Sequence, residues 1–163
     1  MLLAVMADTH LPRGRRALPT ACVERLVDAD LILHAGDFVT AGFLRELEEL
    51  GPPVAGVHGN VDEIALRHVL PPTRAVRAGD LAIALIHDAG PRAGRLTRLR
   101  RKFPFADAVV FGHSHLPLHE RADDGFQIFN PGSPTERRRA PHHTMGLAHV
   151  DGLDLRFELV TLD

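Results

Sequence analysis

Short apolar runs that stop abruptly at a polar residue recur along this chain. Leu2 to Ala7 ends at Asp8-Thr9-His10, and Leu31-Ile32-Leu33-His34-Ala35 ends at Gly36-Asp37. Val54 to Val57 ends at His58-Gly59-Asn60, Leu81 to Ile86 at His87-Asp88, and Val109-Val110-Phe111 at Gly112-His113-Ser114-His115. Runs of this length, rich in β-branched residues and closed by Gly or polar clusters, predict buried strands. Between them the apolar spacing turns helical. Cys22, Val23, Leu26 and Val27 predict a helix with Thr20 as its N-cap. Phe43, Leu44, Leu47 and Leu50 mark a second, stopped by Gly51-Pro52-Pro53. Glu63 to Val69 is expected to be a third, with Asp62 able to cap it, and Leu96, Leu99 and Phe103 mark a fourth in a basic segment. Thr73 to Arg77 pairs with the Leu81 strand about a Gly79-Asp80 turn. The last third reads as β: Phe126 to Phe129, then a hairpin of His143 to Val150 and Leu153 to Val160 about Asp151-Gly152. Strand–helix alternation followed by consecutive strands predicts an α/β layered fold with mixed sheets. With no repeat and no linker long enough to divide the chain, residues 1–163 are expected to form a single domain.

Composition narrows the picture only a little. The 163 residues suit one domain, and 45% apolar with 25% charged residues is ordinary for a globular protein. A formal net charge of −2 gives no reason to expect a nucleic-acid or membrane partner. A lone cysteine, Cys22, rules out an internal disulfide and points to a reducing compartment. The apolar start, Met1 to Ala7, is too short for a signal peptide or a membrane span, so the protein is expected to be cytoplasmic. Self-association is left open. Histidine, however, is frequent at 11 residues while Trp and Tyr are absent. Several of those histidines stand where apolar runs end.

That placement carries chemistry. In extended chain, residues i and i+2 project to the same side, so His113 and His115 are expected to converge on one point. Neutral imidazole is the commonest side-chain metal ligand. Asp8 and His10, Asp37, Asn60, His87, and His113 with His115 each follow an apolar run, and sites in open α/β sheets form beyond the carboxyl ends of strands. Taken singly, Asp8 and Asp37 could be caps or turn residues, Asn60 a turn residue and His87 a satisfied, partly buried histidine. Taken together, seven oxygen and nitrogen donors exceed the needs of one transition metal. They suit two ions about 3.5–4 Å apart, the arrangement used for in-line displacement at phosphorus. Carboxylate, amide and imidazole without thiolate fit Mn, Fe or Zn. Gly36, Gly59 and Gly112 allow tight turns and close backbone approach there.

Asp8-x-His10, Gly36-Asp37, Gly59-Asn60, His87 and Gly112-His113-Ser114-His115, in that order, resemble the calcineurin-like metallophosphoesterases. Gly59-Asn60-Val61-Asp62, the short length and Asn130-Pro131-Gly132-Ser133 resemble the small bacterial and archaeal phosphodiesterase branch, which also includes the retromer subunit Vps29. The resemblance implies a two-sheet mixed β-sandwich flanked by helices, a four-layer αββα arrangement. It implies two divalent ions, Mn²⁺ first and Fe, Zn or Ni as alternatives. Asp8, His10 and His115 would hold one ion, Asn60, His87 and His113 the other, and Asp37 would bridge. Asn60 would also approach the substrate phosphate, and Asn60 and His113 are the residues expected to act in catalysis.

The implied activity is hydrolysis of a small phosphodiester by attack of a metal-bridging hydroxide. The alternative is a non-catalytic protein-interaction scaffold on the same fold. The chain departs from many larger relatives at Val61, where they carry a histidine, and at Asp88, where a glycine is common. Asp88 is read as a hydrogen-bond acceptor behind a ligand or as a helix cap, and His34 as a brace for one. Arg137-Arg138-Arg139 could steer or hold a phosphate, Arg137 being the candidate, although a solvated charged loop is the plainer reading.

Overall fold

The computed structural model describes residues 1–163. Ten strands form two five-stranded sheets. In chain order the elements are β1 (Leu2–Met6), α1 (Thr20–Val27), β2 (Leu31–His34), α2 (Ala41–Glu48), β3 (Val54–Gly56), α3 (Ile64–Val69), β4 (Thr73–Ala78) and β5 (Leu81–Ile86). There follow α4 (Arg95–Lys102), β6 (Ala108–Val110), β7 (Leu118–Arg121), β8 (Gln127–Asn130), β9 (Thr144–Asp151) and β10 (Asp154–Thr161). One sheet has the order β10-β9-β1-β2-β3 and the other β4-β5-β6-β8-β7. In the first, β1, β2 and β3 run parallel and β9 closes antiparallel onto β1. In the second, β5, β6 and β8 run parallel between antiparallel edges.

Period-2 alternation explains the layering. Along β1, Leu3 and Val5 face a core of 19 buried residues shared by the two sheets, with Leu33, Ile83, Val110 and Phe129. Ala4 and Met6 face the other way, onto Cys22, Leu26, Phe43, Leu47 and Leu66 beneath the first three helices. Across the second sheet, Ala84, Val109 and Ile128 pack on Leu99 of α4 and on Phe103, which follows it. Helices, sheet, sheet and helix therefore stack in four layers. Strands buried on both faces read as continuous apolar runs, which is why the sequence marks them clearly. No helix is long and apolar enough to cross a membrane.

Several local expectations are corrected. Pro19, not Thr20, precedes α1, and Thr20 is already helical. Glu63 flanks α3, and Asp62 makes no cap. The hairpin pairs Asp151 with Asp154, so its loop is Gly152-Leu153, one residue later than expected. Gly152, at φ 58°, takes the first loop position. Strand β7 was not anticipated. Leu118-His119-Glu120-Arg121 is an edge strand bonded only to β8, and its exposed alternate residues are polar. Asp88 is exposed and accepts the Gly90 N–H in a local turn, while α4 begins after Gly94.

Candidate metal centre

All seven donor residues stand beyond the carboxyl ends of parallel strands, and two sheets contribute. β1, β2 and β3 deliver Asp8, His10, Asp37 and Asn60. β5 and β6 deliver His87, His113 and His115. Two glycines let the ends meet. A Cβ at Gly59 would lie 2.0 Å from Asp37 Oδ1, and one at Gly112 would lie 2.8 Å from the Ala7 Cβ and 2.9 Å from Asp8 Oδ2. Any larger residue at either position would push the donors apart.

The donors form two overlapping groups, Asp8 with His10 and His115, and Asp8 with Asp37 and His87, each with its ligand atoms within 4.8 Å of one another. His10 Nε2 lies 3.2 Å from His115 Nε2 and 3.5 Å from Asp37 Oδ2, and His115 Nε2 lies 3.6 Å from Asp8 Oδ1. On the other side His87 Nε2 lies 3.3 Å from Asp37 Oδ2. Asn60 Oδ1 lies 3.0 Å from His87 Nε2 and 3.0 Å from His113 Nδ1. Asp37 therefore faces both groups.

His113 and His115 do not converge on one point. Both adopt positive φ, 70° and 60°, so the chain is not extended there, and the rings part towards Asn60 and towards His10. Asp8, His10 and Asp37 are also left-handed, at φ 56°, 47° and 61°. Such backbone costs a non-glycine residue of order 1–3 kcal/mol and persists where the surroundings over-determine it.

Those surroundings are visible. Ser133 Oγ donates to the Asp8 carbonyl at 2.7 Å, and the Thr135 hydroxyl donates to the Thr9 carbonyl. Asn130 Nδ2 donates to the Gly112 carbonyl at 3.0 Å and to Ser114 Oγ at 3.2 Å, tying the His113–His115 turn to β8. The buried Asp62 carboxylate accepts three backbone N–H groups, from Asp37 (3.1 Å), Val39 (2.7 Å) and Gly59 (2.7 Å). It holds the Asp37 and Asn60 loops together. His34, fully buried and stacked on Phe38, accepts the Gly36 N–H at Nδ1 and donates from Nε2 to Thr9 Oγ1. The expected brace is thus real, and it joins the β1 and β2 loops.

Hydrogen bonds at the far ring atoms orient two imidazoles. His87 Nδ1 donates to the Ala35 carbonyl at 2.8 Å and His115 Nδ1 to the Glu136 carbonyl. In the neutral tautomer each then turns an unprotonated Nε2 inward. For His87 that lone pair meets two oxygen acceptors, Asp37 Oδ2 and Asn60 Oδ1, a contact that only a proton or a cation resolves. Asp8 Oδ2 is buried with no hydrogen-bond partner. An orphaned carboxylate oxygen is costly, and a cation beside it removes the cost.

The electrostatics agree with that fit. Burial pushes the Asp8 carboxyl up to about 7, against the opposing pull of His87. Burial also lowers His10, and takes His115 down to about 4, favouring the neutral, ligating form of both. Asp37 is buried too, yet the His87 hydrogen bond and charge and the Val61 N–H outweigh desolvation and hold it at about 2. His87 moves upward, because Asp37 and Asp8 outweigh its own burial. A buried carboxylate that needs a cation, Asp8, and two imidazoles that resist protons, His10 and His115, make a donor set suited to divalent metal.

Residues 1–153 match the calcineurin-like phosphoesterase superfamily domain. The chain belongs to that superfamily. It is 35% identical over 165 residues to a probable metallophosphoesterase of Methanothermobacter thermautotrophicus, covering 98% of this chain and 92% of the relative. A phosphodiesterase of Methanocaldococcus jannaschii is 26% identical over 145 residues, covering 81% and 83%. Among solved structures, Entamoeba histolytica Vps29 complexed with Zn²⁺ superposes with a TM-score of 0.79 at 23% identity, covering all of both chains. At that identity the likeness establishes the two-sheet sandwich of the superfamily and no more.

Two features of this superfamily member were not legible in its sequence as site residues. Glu136 supplies the carbonyl for His115, and its carboxylate lies 3.7 Å from His10 Nδ1 and pairs with Arg13 and Arg16. Asp62 looked like a helix cap. The Asn130-Pro131-Gly132-Ser133 run was the available signal for the turn that carries Ser133 to Glu136. Within the arginine run, Arg137 Nη1 donates to the Ala140 carbonyl, whereas the charge of Arg138 acts on Asp8, His10 and His115.

Proposed function

We propose that the chain is a dinuclear metal-dependent phosphodiesterase acting on a small phosphodiester. Asp8, His10 and His115 would hold one divalent ion, Asn60, His87 and His113 the other, and Asp37 both. The observation that carries this is the orphaned Asp8 Oδ2 between two donor groups that share its carboxylate and face Asp37. Mn²⁺ is the ion we expect first, with Fe, Zn or Ni as alternatives on ligand type. The ions, when bound, would activate water and offset charge on the phosphoryl oxygens. Asn60, exposed and with Oδ1 turned to His87 and His113, keeps its Nδ2 free to donate to a phosphoryl oxygen. His113, also exposed, orients that amide, and Arg138 adds positive charge on the side of Asp8, His10 and His115. A reducing, cytoplasmic setting suits the buried Cys22, whose thiol burial pushes up to about 12.

Neither residue that follows Asn60 can give a leaving group its proton. Val61 is apolar and its N–H is engaged by Asp37 Oδ1 at 3.0 Å, and Asp62 is fully occupied as an acceptor. Since general acid catalysis is worth about 10²–10⁴-fold, aryl diesters should be cut far faster than alkyl esters. Rates should fall steeply as leaving-group pKa rises, and Val61→His should flatten that fall. A flat wild-type profile would mean that another donor exists.

The deciding experiment is metal analysis of the purified protein beside hydrolysis of bis(p-nitrophenyl) phosphate with added Mn²⁺. Bound metal and turnover are expected. A protein that binds no metal and turns nothing over would be the interaction scaffold instead.

A further inference from the structure

Beside the metal centre lies a second pocket, of about 400 Å³, whose walls include Arg92, Arg95, Ser114, Leu116, Leu118 and Arg139. Its position is set by the left-handed turn at His113 and His115. Ser114 and Leu116 line it, while His113 and His115, the neighbours of Ser114, turn to the donor groups. On the opposite wall Arg139 follows Arg138, whose charge acts on Asp8, His10 and His115. Of two consecutive arginines, one therefore acts on the centre and the next lines the pocket.

These guanidiniums are not neutralised. Arg13 and Arg16 are engaged by Glu136 and Arg100 by Asp124, but Arg92, Arg95, Arg138 and Arg139 join no ion pair. No Asp or Glu lines the pocket. The opposing charges that Arg95 feels, Glu120 and Asp88, lie beyond ion-pair distance. Arg95 is fixed: it packs over the Phe111 ring at 5.0 Å and donates to the Gly90 carbonyl at 2.8 Å. Arg92 and Arg139 are exposed and donate to no protein acceptor. A concave surface with three unpaired guanidiniums suits a phosphate better than a carboxylate or a neutral group, because a phosphate monoester carries up to two charges and three terminal oxygens and can engage more than one of them.

We propose that this pocket seats a second, terminal phosphate on one arm of the substrate, so that the preferred substrate is a phosphodiester whose arm ends in a phosphomonoester. The apolar side chains of Leu116 and Leu118 would flank the spacer between the two phosphates. This rests on the phosphodiesterase reading for the phosphate that reacts, while the pocket itself can be tested by binding alone.

Thymidine 3′,5′-bisphosphate and thymidine 5′-phosphate serve as probes, titrated calorimetrically into Mn²⁺-loaded wild type and the Arg92→Gln/Arg139→Gln double variant. Both substituted side chains are exposed, so the fold is retained. Wild type should bind the bisphosphate about tenfold more tightly than the monophosphate. The double variant should bring the two within about twofold, with the loss falling on the bisphosphate, and rising salt should erode the preference. Equal affinities in wild type, or a preference that survives the double substitution, would overturn the proposal. Turnover of bis(p-nitrophenyl) phosphate separates the two readings. A bisphosphate preference without turnover leaves the pocket standing and removes the phosphodiesterase, and turnover without the preference does the reverse.

Discussion

The two halves of the centre are built differently. On one side Asp8 and His115 are fully buried and His10 is 6% exposed, and the polypeptide around them is tied to the Ser133–Glu136 turn by hydroxyl and carbonyl contacts. On the other side Asn60 and His113 are exposed, and only His87 is buried. The first half is a closed, preformed cage. The second opens to solvent and can be completed only from outside. On the dinuclear reading proposed above, the first half would hold its ion tightly, the second an exchangeable, substrate-facing one, and the Asp37 carboxylate would couple them.

Asp37 offers the largest break. Asp37→Asn keeps the acceptor for the Val61 N–H but removes the charge facing both halves. It should cost on the order of 10²–10³-fold in kcat/KM for an aryl diester, with metal content falling below two per chain. Near-normal turnover with two metals retained would contradict the bridging role. A sharper contrast comes from His115→Ala and His113→Ala. The first should remove an ion that excess Mn²⁺ does not restore, and the second should weaken an ion that excess Mn²⁺ does restore. Equal response of the two variants in a metal titration would erase the distinction between the halves.

Asp62→Ala probes the support beneath the open half. Three backbone N–H groups lose a buried acceptor, so stability should drop by about 2–4 kcal/mol, and metal affinity by about 10–100-fold. Thermal melts and a metal titration would show both, and an unchanged melting temperature would count against the assignment. The smallest effect belongs to His34, which links the strand-end loops of β1 and β2. Burial holds its pKa down at about 3, with the Asp37 charge only partly opposing. Above the unfolded value of about 6.5 both states are neutral and the stability is intact. Below it the unfolded chain takes up a proton that the folded one refuses. Stability is therefore lost at about 1.4 kcal/mol per pH unit as pH falls from about 6.5 towards 3. His34→Gln should remove the His34 share of that slope in denaturant titrations across this range, leaving the share of His10 and His115, even though the variant starts less stable.

The same contrast bears on how far the sequence could be read. Strand ends were legible because β1, β2, β5 and β6 are buried on both faces and end at a polar residue without an intervening loop. Six of the seven donor residues are local to such an end, and Asn60 follows the shorter β3, whose first residue is only half-buried. Apart from His34, the supports were not legible, since they are distant in the chain: Ser133 reaches Asp8 across 125 positions and Thr135 reaches Thr9 across 126. Asp62 misled for the opposite reason. Its place before a helix suggested a local cap, and tertiary bonding to Asp37, Val39 and Gly59 took the carboxylate instead. The His113–His115 geometry failed because period-2 reasoning assumes extended backbone, and both residues are left-handed. Strand β7 escaped because an edge strand carries half the apolar signal of a central one.

Anomalous diffraction from crystals grown with Mn²⁺ would locate the ions themselves. Two peaks are expected about 3.5–4 Å apart, one among Asp8, His10 and His115, the other among Asn60, His87 and His113, with Asp37 touching both. At limiting Mn²⁺ the first peak should be the stronger. A single peak, or peaks elsewhere on the chain, would contradict the dinuclear reading.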